Sequence, residues 1–236
     1  MKITLISHTP EPEKLITAAA KLCYSSLEIN EILNKMDEEK CGLFIKKLIK
    51  LGHESPLEHA SFTFGIEKVS RVFLSQITRH RIASFSVRSQ RYVPENKFNF
   101  IIPKKIADNS AANFEFLSEI NNIKKSYEKI TRFLCKNNNL CENTTKKLEK
   151  DILEIARYIL PGATESKIIC TFNARSLLNF FKLRCCNRAQ LEIRNAANEM
   201  LNLVKKIAPN IFATAGPPCI TGECRQGAMA CAKKIS

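Results

Sequence analysis

The sequence predicts a single mixed domain containing both α-helices and β-strands. At 236 residues, the chain has the length of one domain that can bury a core without disulfides or structural metals. Hydrophobic residues make up 44% of it and charged residues 25%, as in ordinary globular proteins. Stretches with apolar residues at helical spacing occur together with shorter stretches of apolar and polar alternation, and no internal repeat is found.

Three short stretches are predicted as strands. Residues 3–7 are mostly apolar and open the chain. In residues 61–68, phenylalanine and isoleucine alternate with polar neighbours, which is the period of a half-buried strand. Residues 167–172, KIICTF, are rich in side chains that favour a strand.

Apolar residues spaced three and four apart predict helices along the rest of the chain. These helices are expected over residues 11–23, 39–51, 70–79, 111–135, 144–160, 174–183 and 188–208. The helix over 144–160 is expected to bury Leu148, Ile152, Ile155 and Ile159, and to end at Pro161 because proline lacks a backbone donor. Asn173 is a favourable N-cap, since its side-chain oxygen can accept a hydrogen bond from the first turn of the next helix.

Targeting signals and cysteine usage indicate a cytoplasmic protein. No stretch approaches the roughly 18 apolar residues that span a bilayer. The apolar run near the N-terminus is too short for a secretion signal. The ten cysteines are therefore expected to remain reduced thiols.

The net charge of +14 indicates an affinity for anions. Nucleic acid is one candidate partner, and nucleotides or phosphate-bearing cofactors are another. Much of the lysine lies in predicted helices, where solvated faces are the ordinary explanation. No aromatic stacking motif, helix-turn-helix pattern or zinc finger supports nucleic-acid binding, and tryptophan is absent.

Arginines are concentrated in residues 75–93, where Arg79, Arg81, Arg88 and Arg91 fall close together. Arginine binds phosphate through two parallel hydrogen bonds, and the hydroxyl and amide side chains among these arginines add neutral donors. The segment therefore predicts an anion site or, alternatively, a solvated basic loop.

A second polar face is predicted on the helix that follows Asn173. Arg175 and Asn179 stand four residues apart and share one side of that helix. The backbone amides at its N-terminus can bind a phosphate or a ring carbonyl. Simple surface polarity would account for the same pattern.

Metal sites are not expected. Residues 52–64 contain the potential metal ligands His53, Glu54, Glu58 and His59, but Leu57 occupies the position where zinc-protease spacing needs a second histidine. Cys219, Cys224 and Cys231 lack the paired spacing of zinc ribbons, so inert thiols are favoured over zinc ligands.

The triplet Arg79-His80-Arg81, followed by seven residues and Ser89, resembles the signature of flavin-dependent thymidylate synthases. The segments GHESPLEHASFTF and NARSLLNFFKLRCCNRAQ resemble the same family, in the same order along the chain. The resemblance runs from residue 3 to about residue 208. It implies one family domain over residues 1–208, followed by a tail at 209–236 whose PPCITGEC resembles the ending of some members.

The resemblance implies an α+β fold, with a β-sheet flanked by long helices, in a homotetramer whose sites lie at subunit interfaces. It implies contacts with FAD for Ser55, Arg79, His80, Arg81, Asn173, Arg175 and Asn179. It implies that dUMP is held, largely through its phosphate and sugar, by Gln76, Arg79, Ser89, Gln90, Arg91 and Arg157. Arg184 matches the catalytic arginine that faces the pyrimidine ring. Val87 stands where glutamate is common in the family, so only a backbone contact is expected there.

The implied reaction is the reductive methylation of dUMP to dTMP. The carbon comes from 5,10-methylenetetrahydrofolate, and NADPH reduces the FAD that carries the hydride. Side chains cannot perform such a reduction without a redox cofactor. Arg184, which stays protonated, is expected to stabilise negative charge on the pyrimidine, and no thiol nucleophile is required.

Another enzyme class shares these cofactors. A folate- and flavin-dependent methyltransferase acting on uracil in RNA would need a GxGxxG fingerprint for its flavin, and this sequence has none. The expected ligands are therefore small molecules, without a membrane or nucleic-acid partner.

Overall fold

A four-stranded β-sheet lies in the part of the chain that the computed structural model describes, residues 1–93, 95, 98–137, 146–222, 224 and 226–231. Its strands are β1 (Lys2–His8), β2 (Ser61–Ser70), β3 (Ala83–Val87) and β4 (Glu165–Asn173). They lie in the order β1-β2-β4-β3, and β1 pairs with β2 in antiparallel orientation. The three predicted strands are confirmed, whereas β3 was not predicted.

Alternating burial explains why the sequence pattern identified these strands. Phe62, Phe64 and Ile66 on β2 are fully buried, as the alternation predicted. Cys170 and Phe172 on β4 are buried in the same way. One face of β2 and one face of β4 therefore supply the core.

The helices include every one predicted from the spacing of apolar residues, with shifted ends. They are α1 (Pro12–Leu22), α2 (Ile29–Asn34), α3 (Glu38–Leu51), α4 (Arg71–Ile77), α5 (Lys104–Ala107), α6 (Ser110–Asn137), α7 (Lys146–Ala156), α8 (Ala174–Arg184) and α9 (Leu191–Ile207). The short helices α2 and α5 were not predicted. The mixture of helices and a sheet confirms the α+β class.

The end of α7 differs from the prediction. The α-helix ends at Ala156, and Arg157–Ile159 continues as a tighter 3-10 turn. Leu160 is extended, with φ −66° and ψ 132°, which is the conformation favoured before a proline such as Pro161. The α-helical hydrogen bonding therefore stops before the proline.

The predicted apolar face of α7 also needs one correction. Ile155 was expected to be buried but is 58% exposed, whereas Leu153 is 3% exposed. Ile152 is buried as predicted. Residues 144 and 145 and the side chain of Leu148 lie outside the described residues.

The chain forms two compact units, each with a core of its own. The first comprises Met1–Glu67, Gln76–Ser86 and Ile169–Ser236, and the second Lys68–Ser75 and Val87–Ile168. The first core contains the buried rings of Phe62, Phe64, Phe172, Phe180, Phe181 and Phe212. The second contains Tyr127, Leu153 and Ala156, with Ile130, Ile159 and Leu160 packed against them.

Residues after Pro209 begin by packing into the first unit. Asn210 donates to both oxygens of the Glu13 carboxylate, through its backbone N–H and through Nδ2, each at 2.7 Å. Phe212 is fully buried and meets the rings of Phe62 and Phe181 edge-on. This part of the tail is therefore packed. In the described residues, every helix is too short or too polar to cross a lipid bilayer.

Candidate active site

The start of α8 is held in place by three hydrogen bonds. Asn173 Oδ1 accepts from the Ser176 backbone N–H at 2.8 Å, which confirms the predicted N-cap. The Ala174 N–H donates to the Ala60 carbonyl at 2.8 Å. The Ile82 N–H donates to Ser176 Oγ at 3.2 Å, which joins α8 to the residues after the arginine triplet.

A cavity of about 430 Å³, which we call the α8 cavity, opens beside this helix. It is lined by Glu54, Glu58, Arg81, Ile82, Asn173, Arg175, Ser176, Leu178, Asn179 and Lys182. Four residues that the sequence assigns to FAD belong to this lining: Arg81, Asn173, Arg175 and Asn179. The structure therefore brings these four together.

Two carboxylates orient Arg175 in the α8 cavity. Its Nη1 donates to Glu58 Oε1 at 2.6 Å, and its Nε donates to Glu54 Oε2 at 3.3 Å. The hydrogen bond to Glu58 is the largest cause that raises the pKa of Arg175. These side chains are about half exposed, so their ion pairs position the guanidinium more than they stabilise the fold. Arg81 and Lys182 supply further positive charge to the same cavity.

Ser55 and Arg79, also expected at FAD, lie outside this lining. Ser55 begins the 3-10 turn Ser55–His59 and is exposed. Arg79 follows α4 and is exposed, while its backbone N–H donates to the Gln76 carbonyl at 3.3 Å. Both side chains therefore face solvent.

His80 is buried and hydrogen bonded to Arg184. Arg184 Nε donates to His80 Nε2 at 2.9 Å, and the His80 ring meets Phe180 edge-on at 4.9 Å between centroids. Burial, and then the Arg184 charge, lower the pKa of His80 to about 4. Because Nε2 accepts, the neutral ring carries its proton on Nδ1. His80 is therefore an uncharged acceptor at neutral pH.

Gln76 also has a partner that is distant in sequence. Its Nε2 donates to Oε1 of Gln190, which immediately precedes α9. The two residues are 114 positions apart, so local sequence patterns give no sign of this bond. It ties the end of α4 to the start of α9.

In the second unit, Gln90 and Arg157 line a cavity of about 280 Å³, which we call the Arg71 cavity. The remaining lining consists of Arg71, Tyr158, Leu160, Pro161 and Gly162. Two residues expected at dUMP are therefore brought together, next to an arginine that was not singled out from the sequence.

Ser89 and Arg91, also expected at dUMP, belong to the second unit. Ser89 Oγ accepts from the Arg91 backbone N–H at 3.2 Å. The Arg91 guanidinium binds Glu154 Oε2 through Nε and Nη2, each at 2.7 Å. Arg157 Nε donates to the Glu154 carbonyl at 3.3 Å. Glu154 therefore organises both arginines.

Arg88 is an arginine of the same basic segment, but its charge is paired within the protein. It forms an ion pair with Glu95, whose side chain is only 2% exposed. The Glu95 backbone N–H donates to the Tyr127 hydroxyl at 3.3 Å. Burial raises the pKa of Glu95, and the hydrogen bond and charge of Arg88 oppose that shift.

Comparison with known proteins assigns the family. The family model described as thymidylate synthase complementing protein matches residues 4–210. A flavin-dependent thymidylate synthase of Clostridium tetani is 49% identical over 234 residues, which cover 99% of this chain and 94% of the relative. The chain belongs to the flavin-dependent thymidylate synthase family. It is accordingly an enzyme and a flavoprotein of dTMP biosynthesis, as the sequence resemblance predicted.

Other flavin-dependent thymidylate synthases are similar over comparable lengths. That of Geobacter sulfurreducens is 46% identical over 99% of this chain and 94% of its own. The crystal structure of the flavin-dependent thymidylate synthase ThyX of Helicobacter pylori, in complex with FAD and dUMP, has a TM-score of 0.66 and 24% identity. The match covers 92% of this chain and all of that one. At this identity the likeness supports the fold.

Some residues of this flavin-dependent thymidylate synthase gain a function that sequence reasoning missed. Glu54 and Glu58 were weighed only as metal ligands, yet they position Arg175. Arg71 shares a cavity with Arg157 although the two lie 86 positions apart along the chain. No group of three or more potential ligands among His, Cys, Asp and Glu forms a candidate metal site in the described part of the chain.

Proposed function

We propose that the enzyme methylates dUMP to dTMP, using 5,10-methylenetetrahydrofolate as the carbon donor and FAD reduced by NADPH as the hydride carrier. The observation that carries this proposal is the α8 cavity, in which residues from the arginine triplet and from α8 meet. The sequence resemblance assigns four of the lining residues to FAD, namely Arg81, Asn173, Arg175 and Asn179. Their meeting in one cavity is the arrangement that a shared ligand requires.

The α8 cavity has suitable donors for a flavin dinucleotide. Arg81 and Lys182 offer positive charge to phosphates, and the Asn179 amide can donate and accept hydrogen bonds. When bound, FAD supplies the hydride chemistry that side chains lack. Arg175 is already balanced by Glu54 and Glu58, so we assign it to the flavin ring rather than to a phosphate.

The proposed dUMP contacts have complementary chemistry. They are made by Gln76, Arg79, Ser89, Gln90, Arg91 and Arg157. The guanidinium groups match a phosphate, whereas the amides and the hydroxyl match sugar hydroxyls and remaining phosphate oxygens. Arg79 is exposed and is assigned to both flavin and nucleotide.

Arg184 is the proposed catalytic residue, and His80 is its positioning residue. An arginine that faces the uracil can stabilise the negative charge that develops on N3 and the carbonyl oxygen. Since Nε is bound to His80, the two terminal nitrogens of Arg184 remain as donors. A neutral His80 holds the guanidinium without adding a competing charge.

The site offers no activated thiol next to Arg184. Cys185 is 3% exposed, and burial raises the pKa of its thiol to about 12. At neutral pH its thiolate fraction is negligible, so the thiol is a poor nucleophile. This supports a mechanism in which Cys185 does not attack the ring.

We also propose a cytoplasmic homotetramer with sites at subunit interfaces, small-molecule ligands, and neither membrane nor nucleic-acid partners. The family domain would span residues 1–208, with 209–236 as its tail. Ile82 beside the α8 cavity is 71% exposed and Tyr158 of the Arg71 cavity is 86% exposed, so both side chains are available for packing against another subunit. Light scattering during size-exclusion chromatography tests the tetramer.

Tritium release from [5-³H]dUMP tests the reaction. Release should require dUMP, 5,10-methylenetetrahydrofolate and NADPH together, and dTMP should form in step with it. The purified protein should be yellow and should bleach when NADPH is added without oxygen. Tritium release that continues without folate, or methylation of uracil in RNA but not of dUMP, would contradict the proposal.

A further inference from the structure

The Arg71 cavity contains two cations that face a common space. Arg71 and Arg157 both line it, and so does Gln90 of the arginine-rich segment. No hydrogen bond or ion pair joins the Arg71 guanidinium to any residue that the structure describes. Burial first, and then the charge of Arg157, lower the pKa of Arg71, so the two guanidiniums are close enough to repel.

Gln90 adds a donor that lacks a protein partner. Its side chain is 6% exposed, and Nε2 is buried without a hydrogen bond to any described residue. A buried amide donor left unpaired costs about 1–3 kcal/mol, so such groups are normally satisfied by a ligand or by water. An anion in this cavity would satisfy the amide and both guanidiniums together.

The nearby carboxylate of Glu95 is not the anion that pairs with Arg71. It raises the pKa of Arg71 through its charge, but its hydrogen-bonding partner is Arg88. Glu95 is also 2% exposed, whereas Arg71 lines an open cavity. The charge of Glu95 therefore partly offsets that of Arg71, but the Arg71 guanidinium is still available to a ligand.

The backbone around Arg71 is fixed by neighbouring main chain. Its N–H donates to the Thr164 carbonyl, and the Val72 N–H donates to the Gly162 carbonyl, both at 3.1 Å. A Cβ at Gly162 would lie 2.9 Å from Val72 Cγ2, so glycine permits this close approach. The base of the Arg71 side chain is thus held beside the cavity before any ligand arrives.

We propose that Arg71 binds the phosphate monoester of the nucleotide substrate, together with Arg157 and Gln90. This inference rests on the proposed function and adds a phosphate contact that the sequence resemblance did not assign. A phosphate monoester presents three oxygens to the two guanidiniums and the amide. Arg71 acts in affinity for the phosphate and takes no part in the chemistry on the pyrimidine.

The test compares Arg71→Gln and Arg71→Lys with wild type in the FAD-loaded enzyme. Arg132→Gln is the matched control, because Arg132 is an exposed arginine of the same unit and lies outside the cavity. Arg71→Gln should raise the KM for dUMP about ten- to hundredfold, since a charge-assisted contact is lost, while kcat changes less than about threefold. Arg71→Lys should give an intermediate KM, and Arg132→Gln should match wild type.

The phosphate of NADPH is the other source of the same chemistry. The KM for NADPH, measured by flavin reduction without dUMP, should be unchanged in Arg71→Gln. A change in the KM for NADPH instead of dUMP would overturn the assignment. An unchanged KM for dUMP in both Arg71 variants would overturn it as well. Flavin content and melting temperature establish whether the variants fold. If Arg71→Gln does not fold, the KM values of Arg71→Lys decide the test.

Failure of the proposed reaction can be distinguished experimentally from failure of the phosphate site. If wild type released no tritium from dUMP, inorganic phosphate would still probe the cavity directly. Phosphate at millimolar concentration should then raise the melting temperature of wild type and of Arg132→Gln, but not that of Arg71→Gln. Equal stabilisation of all three proteins would overturn the phosphate site itself.

Discussion

Replacing Arg184 by methionine is expected to raise the pKa of His80 without restoring the ordinary histidine value. Arg184 Nε donates to His80 Nε2 at 2.9 Å, and its charge is the second cause, after burial, of the lowered pKa. Methionine keeps much of the side-chain volume but removes the charge. Because the ring remains buried against Phe180, burial still lowers the pKa of His80 in the variant.

The lowered pKa of His80 also makes the folded protein less stable in acid. The unfolded chain takes up a proton at the ordinary value of 6.5, whereas folded His80 does so only near pH 4. The contribution of this pKa shift to the free energy of unfolding is therefore fully present above about pH 6.5 and is lost as the pH falls towards about 4. The full shift corresponds to roughly 3 kcal/mol, of which about 2 kcal/mol is lost between about pH 7 and about pH 5.

Nuclear magnetic resonance of ¹³C-labelled histidine measures this pKa directly. The chain has four histidines, and the variant His80→Gln identifies the His80 signal by its loss. In wild type that signal should stay unshifted down to about pH 5, and in Arg184→Met it should titrate at a higher pH. A wild-type signal that titrates near about pH 6.5 would refute the role of burial. An identical pKa in the methionine variant would refute the coupling to Arg184.

The remaining predictions concern the cavities and the buried ion pair. Arg81→Ala should weaken FAD binding about ten- to hundredfold, because a charge-assisted contact is lost; full flavin occupancy after dilution would count against this. Arg184→Ala should slow dTMP formation about a hundred- to thousandfold while stopped-flow flavin reduction by NADPH stays near normal. Equal loss of both half-reactions would instead indicate a damaged flavin site. Cys185→Ala should retain turnover, and mass spectrometry should detect no covalent dUMP adduct on the wild-type thiol. Arg88→Met should lower the free energy of unfolding by about 3 kcal/mol, since it leaves the Glu95 carboxylate buried and unpaired. An unchanged midpoint of urea unfolding in Arg88→Met would disprove this contribution of the Arg88–Glu95 ion pair.

Periodicity predicted the elements whose apolar side chains face a core. Strand β2 was found because its phenylalanines alternate with polar residues, and their burial explains the pattern. Strand β3 was missed although Ala83, Phe85 and Val87 alternate with serines in the same way. Its arginine-rich neighbours suggested an anion site or a loop instead. The alternation was the signal that would have identified it.

Local spacing predicted only part of the site. Arg175 and Asn179 are four residues apart, so a helix alone places them on one face. The partners of His80 and Gln76 are 104 and 114 residues away, and only the tertiary structure brings them together. Arg71 was missed for the same reason, because Arg157 is distant in sequence and no motif connects the two.

The discontinuity of the first unit has a consequence during synthesis on the ribosome. Its segments Met1–Glu67 and Ile169–Ser236 are separated by a stretch that mostly belongs to the other unit. The bonds between Glu13 and Asn210 span 197 residues. At about 5–20 residues per second, the gap between residues 67 and 169 takes roughly 5–20 seconds to translate. The N-terminal helices must wait for that time with an unfinished core, whereas residues 87–168 emerge as one continuous segment that can collapse first.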